Sequence, residues 1–122
     1  MIPALLVVLA GLMGSGGVML AAASAHSVPN AGLDSAGNLL LLHAAAVLGA
    51  TALLQTGLLW RPLGLVAAFG LVLGAALFAG DITLRAFAGH RLFPMAAPTG
   101  GMILIASWLV LAAAGIVAAL RG

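Results

Sequence analysis

Four long apolar runs, separated by three short polar segments, dominate the pattern of the chain. The runs cover residues 2–25, 38–59, 63–85 and 99–120 and consist mostly of Ala, Leu, Gly and Val. A helix needs about 20 apolar residues to cross the hydrocarbon core of a bilayer. Each run is long enough for one crossing, so the pattern predicts four transmembrane helices.

The polar segments contain the residue types that end helices and form turns. Pro29 breaks the pattern after the first run, and Asp34 or Ser35 is placed to cap the second helix. Trp, Arg and Pro at residues 60–62, and the Gly- and Pro-containing segment 87–98, separate the later runs. Because such short connections join neighbouring helices in antiparallel order, we predict an all-α integral membrane protein, folded as an up-down-up-down four-helix bundle with short loops.

Composition excludes a water-soluble protein. Hydrophobic residues make up 65% of the 122-residue chain and charged residues 5%, whereas ordinary soluble domains carry roughly 25% charged residues. We therefore expect residues 1–122 to form a single transmembrane domain in contact with the lipid bilayer. The four Arg residues are scattered and form no basic patch, which excludes nucleic acid as a partner. The absence of Cys excludes disulfides and thiolate metal ligands.

Small residues at regular spacing predict where helices approach one another closely. Gly70 and Gly74 form a Gly-x-x-x-Gly pair in the third run, a pattern typical of transmembrane helix packing. The same role is predicted for glycines at the centre of the first run and at the start of the fourth. The predicted packing glycines are Gly11, Gly14, Gly70, Gly74, Gly100 and Gly101.

Asp81 is the one carboxylate inside an apolar run, and an ionisable residue within a membrane is by default a candidate functional group. It follows Gly70 by eleven residues, which is about 20° on the helical wheel and places it on the packing face of the third helix. Arg85 follows at position i+4, the favourable order for an ion pair. Two interpretations stay open, a structural ion pair or a group that binds a ligand or relays protons.

Polar residues from all four predicted helices lie near the same end of the bundle. His43 is about five residues into the second helix and Asp81 about four residues before the end of the third, so both lie roughly 6–8 Å below one membrane face. With their neighbours they predict a polar layer formed by His26, Asn38, His43, Asp81, Arg85 and Thr99. This layer either hydrogen-bonds neighbouring helices or, at His43, carries a ligand or a proton.

Residue patterns typical of catalysis are absent from the sequence. It has no nucleophile–base pair and no Gly-rich phosphate loop, so we expect neither an enzymatic activity nor a cofactor. A catalytic zinc site usually has at least three protein ligands, which His26, His43 and Asp81 supply only if their helices converge. We therefore predict no metal site. If a metal did bind, these three residues would be its candidate ligands.

The Arg residues also predict the orientation in the membrane. Arg61 and Arg121 lie on the same side as the amino terminus, whereas Arg85 and Arg91 lie on the opposite side. With the amino-terminal charge added, the positive-inside rule favours both termini in the cytoplasm.

Four short motifs occur in the order found in one known family. They are Ala-Ala-Ala-Ser-Ala-His at residues 21–26, Leu-Leu-Leu-Leu-His-Ala-Ala at 39–45, Phe-Ala-Gly-Asp at 78–81 and Ala-Pro-Thr-Gly-Gly at 97–101. On these motifs the chain resembles the small bacterial membrane proteins of domain of unknown function 423, a family related to the eukaryotic transmembrane protein 256 family. The resemblance covers nearly the whole chain and implies a four-helix protein of the bacterial inner membrane. It implies no particular activity.

These observations leave three functional hypotheses. The first is a non-enzymatic structural, accessory or assembly component, which packs against itself as a homo-oligomer or against a larger membrane complex. The second is a small transporter or a proton- or metal-handling module that uses His43 and Asp81. The third is a lipid- or quinone-binding protein in which Arg85, His90 and Arg91 meet the head groups.

Overall fold

Four α-helices account for almost all of the chain that the structure describes. The computed structural model describes residues 1–26 and 32–122; Pro29, predicted to break the pattern after the first run, lies outside them. Helix α1 spans Ile2–His26, α2 Leu33–Gln55, α3 Arg61–Ala88 and α4 Ala96–Arg121. Each helix is long and apolar enough to cross a membrane. The predicted all-α architecture is confirmed, and the chain is a multi-pass membrane protein.

The second helix begins and ends earlier than its apolar run predicts. It starts at Leu33 rather than near residue 38, and it ends at Gln55 rather than near residue 59. Its N-cap is Gly32, which adopts the left-handed conformation with φ 79°, so the predicted cap at Asp34 or Ser35 is not formed. Asp34 lies instead in the first turn, where a carboxylate complements the positive end of the helix dipole.

The third and fourth helices extend beyond their apolar runs into the connection between them. Helix α3 ends at Ala88. Its C-cap is Gly89, which has φ 78° and donates its N–H to the carbonyl of Arg85. Helix α4 begins at Ala96, so Pro98 lies in its first turn. A proline there removes no helical hydrogen bond, because the first N–H groups of a helix have no partner within it.

Helices α1 and α2 pack antiparallel through two glycines. A methyl group built on Gly17 would lie 3.0 Å from the carbonyl oxygen of Gly37, and one built on Gly37 would lie 2.9 Å from the carbonyl oxygen of Gly17. Nearer the start of α1, Gly14 faces Ala44 at an ordinary contact distance of 3.9 Å. The two backbones therefore touch at Gly17 and Gly37, which the predicted set of packing glycines does not include.

Helices α3 and α4 approach equally closely, and here the glycines are those that the sequence predicts. A methyl group on Gly74 would lie 2.8 Å from the carbonyl oxygen of Gly100. One on Gly70 would overlap the hydroxyl group of Ser107. Since positions rise along α4 as they fall along α3, these two helices are also antiparallel.

Two of the predicted packing glycines do not contact another helix. Among the described residues, a methyl group built on Gly11 or on Gly101 would meet nothing within 4 Å. Gly11 is exposed on the outer face of α1. The prediction is corrected for packing within the chain at these two positions, because a high glycine content does not reveal which face of a helix is covered.

The central pair of the bundle is α2 and α3, with α1 packed on α2 and α4 packed on α3. In their most apolar stretches α2 and α3 each bury 39% of the residues, whereas α1 and α4 bury 22% and 17%. The largest fully buried apolar side chains are those of Leu6, Leu33, Val47 and Leu71. The remaining core is mostly alanine, and this small side chain lets the helix axes lie close together.

Candidate functional site

Asp81 is fully buried on α3 and joins that helix to the connection that follows it. Its Oδ1 atom accepts a hydrogen bond of 3.1 Å from the backbone N–H of Leu92. Asp81 follows Arg61 by twenty residues, which is about 30 Å along a helix and matches the thickness of the hydrocarbon core. The carboxylate therefore lies near one boundary of the core, where it holds the α3–α4 connection against the bundle.

The second carboxylate oxygen of Asp81 is less well satisfied. Oδ2 is buried without a hydrogen-bond donor among the residues that the structure describes, and Nε of Arg85 lies 3.6 Å away. This distance is short enough for the ion pair predicted from the i+4 spacing but is too long for a hydrogen bond. The nearby hydroxyl of Thr83 does not help, because it donates to the carbonyl of Ala79 within α3. Asp81 thus has one hydrogen bond and one ion pair, the latter to a side chain that is 42% exposed.

His43 is buried on α2, and both of its ring nitrogens have partners. Nδ1 lies 2.8 Å from the carbonyl oxygen of Leu39, and Nε2 lies 3.1 Å from the indole nitrogen of Trp108 on α4. A carbonyl only accepts and an indole N–H only donates. These partners assign His43 as the neutral tautomer that carries its proton on Nδ1. The rings meet edge to face, with centroids 5.8 Å apart and planes at 64°.

The contact with Trp108 limits what His43 can do chemically. The lone pair on Nε2 is the one a metal or a proton would use, and it already accepts the indole N–H. A protonated imidazole would direct a second N–H at the indole donor. In this arrangement His43 is a hydrogen-bonded link between α2 and α4, and binding a ligand requires Trp108 to move.

His43 and Asp81 do not belong to one polar layer. Because α2 begins at Leu33, His43 lies ten residues into it rather than five, which is about 15 Å along the axis. Gly32 packs on Ile82 with 3.6 Å between a methyl built on the glycine and the isoleucine, so Asp81 is level with the start of α2. The two side chains therefore lie at different depths, and the predicted layer is corrected to two separate sites.

The other residues of the predicted layer lie on the surface. His26, Asn38, Arg85 and Thr99 are all exposed. Within residues 1–26 and 32–122 the structure brings no three His, Asp or Glu side chains together in a group that would hold a metal ion. The candidate metal ligands His26, His43 and Asp81 are therefore not assembled into a site.

An apolar groove opens between α1 and α3, which touch each other only sparsely. It runs from Leu12 to Leu20 along α1 and from Ala76 to Phe87 along α3, and Leu40 of α2 also lines it. Its volume is about 560 Å³. We refer to it as the α1–α3 groove. Its existence depends on the separation of two helices that are not neighbours in sequence, and no motif in the sequence marks it.

The comparison with protein families matches residues 20–101, about two thirds of the 122-residue chain, to the family described as protein of unknown function (DUF423). The chain belongs to this family. No curated protein and no solved structure matches the chain. The matched part of the chain includes the four motifs that carry the resemblance, and with them His43 and Asp81.

Trp108 lies beyond the part of the chain that matches the DUF423 family. Its position near the middle of the fourth apolar run predicts a packing residue. The signal that identifies its contact is its indole N–H, which needs an acceptor when it lies within a membrane. His43 is an acceptor on another helix, but the register between α2 and α4 is needed to pair the two.

Proposed function

We propose that the chain is a non-enzymatic structural or accessory component of the bacterial inner membrane. In this role it packs against a larger membrane complex or against further copies of itself. The observation that carries the proposal is that the two buried ionisable side chains of the described residues both interact with partners within the chain. Asp81 contacts Leu92 and Arg85, and His43 contacts Leu39 and Trp108. The outward faces of the helices are then what the protein offers to its surroundings.

The outer face of α1 supports a packing role. Gly11 and Ser15 are both exposed on α1, four residues apart, and nothing lies within 4 Å of a methyl group built on Gly11. Two small residues at this spacing allow the backbone of another transmembrane helix to approach closely. Within the chain, α1 and α2 already pack in this way through Gly17 and Gly37. The exposed pair is suited to one more contact of that kind.

The distribution of Arg residues supports an orientation with both termini in the cytoplasm. The guanidinium of Arg121 lies 5.5 Å from the ring of Trp60, so the carboxyl terminus and the α2–α3 turn share one end of the bundle. Arg61 lies at that end as well, next to Trp60. Arg85 and Arg91 lie at the other end. With the amino-terminal charge on the side of Arg61 and Arg121, the positive-inside rule favours that side as cytoplasmic.

A transport role has less support from the geometry. A proton or metal pathway through the bundle needs polar groups that can exchange their partners. His43 and Asp81 lie about 15 Å apart in depth by helix rise, and each is held by a different part of the chain. We therefore favour the structural role over the transport alternative.

Cysteine crosslinking in native membranes tests the packing role directly. The chain has no Cys, so Ser15→Cys introduces the only thiol. Oxidation of membranes that contain Ser15→Cys is expected to give a crosslinked homodimer, or an adduct with a second membrane protein. Ala52→Cys, at an exposed position of α2, is the matched control and is expected to stay uncrosslinked.

The same experiment has a clear contrary outcome. If Ser15→Cys stays uncrosslinked and the wild-type chain purifies in mild detergent as a monomer without a partner, the packing role is wrong. The substitution Gly11→Leu gives a second measurement, because it adds bulk to the outer face without changing its polarity. It is expected to dissociate the complex on native gels while the helical content stays unchanged.

A further inference from the structure

The α1–α3 groove lies where a membrane lipid would reach it. Along α3 the groove runs from Ala76 to Phe87, which follow Arg61 by 15 and 26 residues. At 1.5 Å per residue these positions are about 22 Å and about 39 Å from Arg61, against a hydrocarbon core about 30 Å thick. One end of the groove is therefore inside the hydrocarbon and the other end is in the layer of the lipid head groups.

The groove is lined for contact with hydrocarbon. Thr83 is the one polar side chain among its described lining residues, and its hydroxyl already donates to the carbonyl of Ala79. Gly16 on α1 and Gly80 on α3 leave the space between the two helices open. The volume of about 560 Å³ is in the range of small-molecule sites, which is roughly 300–1,000 Å³.

The shape of the groove suits a hydrocarbon chain. The groove extends about 16 Å along α3, from Ala76 to Phe87. A flexible hydrocarbon chain can follow this length in contact with both α1 and α3.

The end of the groove in the head-group layer carries positive charge. Leu92 lines this end, and Arg91 precedes it in the exposed connection. Within the described residues the one ion pair is that of Asp81 with Arg85, which leaves Arg91 without a carboxylate partner there. The Nδ1–H of His90 donates to the carbonyl of Arg91, 3.1 Å away. The guanidinium of Arg91 is the group at this end that complements an anionic head group.

We propose that the α1–α3 groove binds one acyl chain of an anionic phospholipid whose phosphate lies against Arg91. Asp81 is a positioning residue for this site, because its Oδ1 holds the backbone N–H of Leu92 at the end of the groove that lies in the head-group layer. The lipid fills the space that α1 and α3 leave between them. This site is additional to the packing role of the outer face of α1.

Native mass spectrometry of the full chain in mild detergent tests the proposal. The protein is offered phosphatidylglycerol, phosphatidylcholine of the same acyl composition and a quinone. One phosphatidylglycerol is expected to be retained per chain. Ala76→Phe places a ring in the groove at an exposed position and is expected to lower retention about tenfold, as the loss of burial of roughly two methylene groups would.

Matched variants separate the groove from the rest of the lipid-facing surface. Ala112→Phe makes the same change at an exposed position of α4 and is expected to leave retention unchanged. Arg91→Gln is expected to lower the preference for phosphatidylglycerol about fivefold, the effect of one cation near a membrane surface. Arg61→Gln, at the opposite end of α3, is expected to leave it unchanged. If Ala76→Phe fails to fold by circular dichroism, Gly80→Leu fills the same groove.

Several results would overturn the proposal. It is wrong if phosphatidylglycerol and phosphatidylcholine are retained equally by the wild-type chain, or if both groove-filling variants retain the lipid as the wild type does. Preferential retention of the quinone would assign the groove to another ligand. A lipid-free dimer that Ala76→Phe dissociates would assign the groove to a second copy of the chain.

Discussion

The indole N–H of Trp108 donates to Nε2 of His43 at 3.1 Å, which joins α4 to α2 across 65 positions of the chain. This hydrogen bond connects two helices that are otherwise separated by α3. It also uses the one lone pair through which His43 would act as a base or a ligand. The most prominent histidine of the transmembrane region is thereby part of the bundle's internal structure.

Breaking this pair is expected to destabilise the bundle modestly. Trp108→Phe keeps an aromatic ring but removes the donor, and His43→Ala removes the acceptor. A double-mutant cycle with both variants is expected to give a coupling of about 0.6 kcal/mol, with an upper bound of about 1.7 kcal/mol. Unfolding in mixed micelles with increasing dodecyl sulfate provides the measurement. Effects that add within about 0.3 kcal/mol would show that the two side chains do not interact.

Removal of the Asp81 carboxylate is expected to destabilise the α3–α4 connection. Asp81→Ala removes the hydrogen bond from the N–H of Leu92 to a carboxylate, and hydrogen bonds to charged groups contribute roughly 1.5–3 kcal/mol. Asp81→Asn keeps an oxygen for that N–H and is expected to cost less. Thermal unfolding in detergent compares the two variants. Asp34→Asn, at the exposed first turn of α2, is the control and is expected to change stability by less than about 0.5 kcal/mol.

The ion pair between Asp81 and Arg85 is expected to contribute little by itself. Although Asp81 is buried, the Arg85 side chain is 42% exposed and its Nε lies 3.6 Å from Oδ2, so water screens the pair and we expect it to contribute about 0–1 kcal/mol. Arg85→Gln is therefore expected to unfold close to the wild type and well above Asp81→Ala. Equal destabilisation by Arg85→Gln and Asp81→Ala would mean that the ion pair, rather than the bond to Leu92, holds the connection.

Two adjacent glycines of α4, Gly100 and Gly101, are expected to tolerate alanine differently. Gly100→Ala places a methyl group 2.7 Å from the carbonyl oxygen of Gly74, so α3 and α4 must separate, at a cost of typically 1–3 kcal/mol. Gly101→Ala meets nothing within 4 Å and is expected to be neutral or to stabilise α4 by up to about 1 kcal/mol. The melting temperatures of the two variants in one detergent decide this. A destabilised Gly101→Ala would place an unseen contact on that face.

Zinc is expected to leave the stability of the chain unchanged. His26 is exposed, His43 is bonded to Trp108, and the described residues contain no cluster of three ligands. The melting temperature in detergent is therefore expected to be the same with zinc and with a chelator. A rise with zinc that His43→Ala abolishes would show that the helices converge on a metal after all.

The class of protein and the number of helices follow from the pattern of apolar runs alone. A run of about 20 apolar residues has few alternatives to a transmembrane helix, because unpaired backbone groups cannot be left in hydrocarbon. The Gly-x-x-x-Gly pair of α3 and the i+4 spacing of Asp81 and Arg85 each involve residues of one helix. The sequence predicts both, because spacing along a helix does not depend on how the helices pack. The sequence did not predict the helix ends correctly. The N-caps of α2 and α4 are Gly32 and Met95, and not the polar residues that follow each of them in the chain.

Which polar groups meet depends on how the four helices pack together in space. The depth of His43 depended on where α2 begins, and its partner depended on the register between two helices that are not adjacent in sequence. Asp81 binds the backbone of Leu92, and a backbone N–H carries no signature in the residue type. The faces covered by Gly17 and Gly37, and the face left open at Gly11, follow from packing in space. Periodicity along one helix cannot supply that information, because every helix of this chain is apolar on all sides.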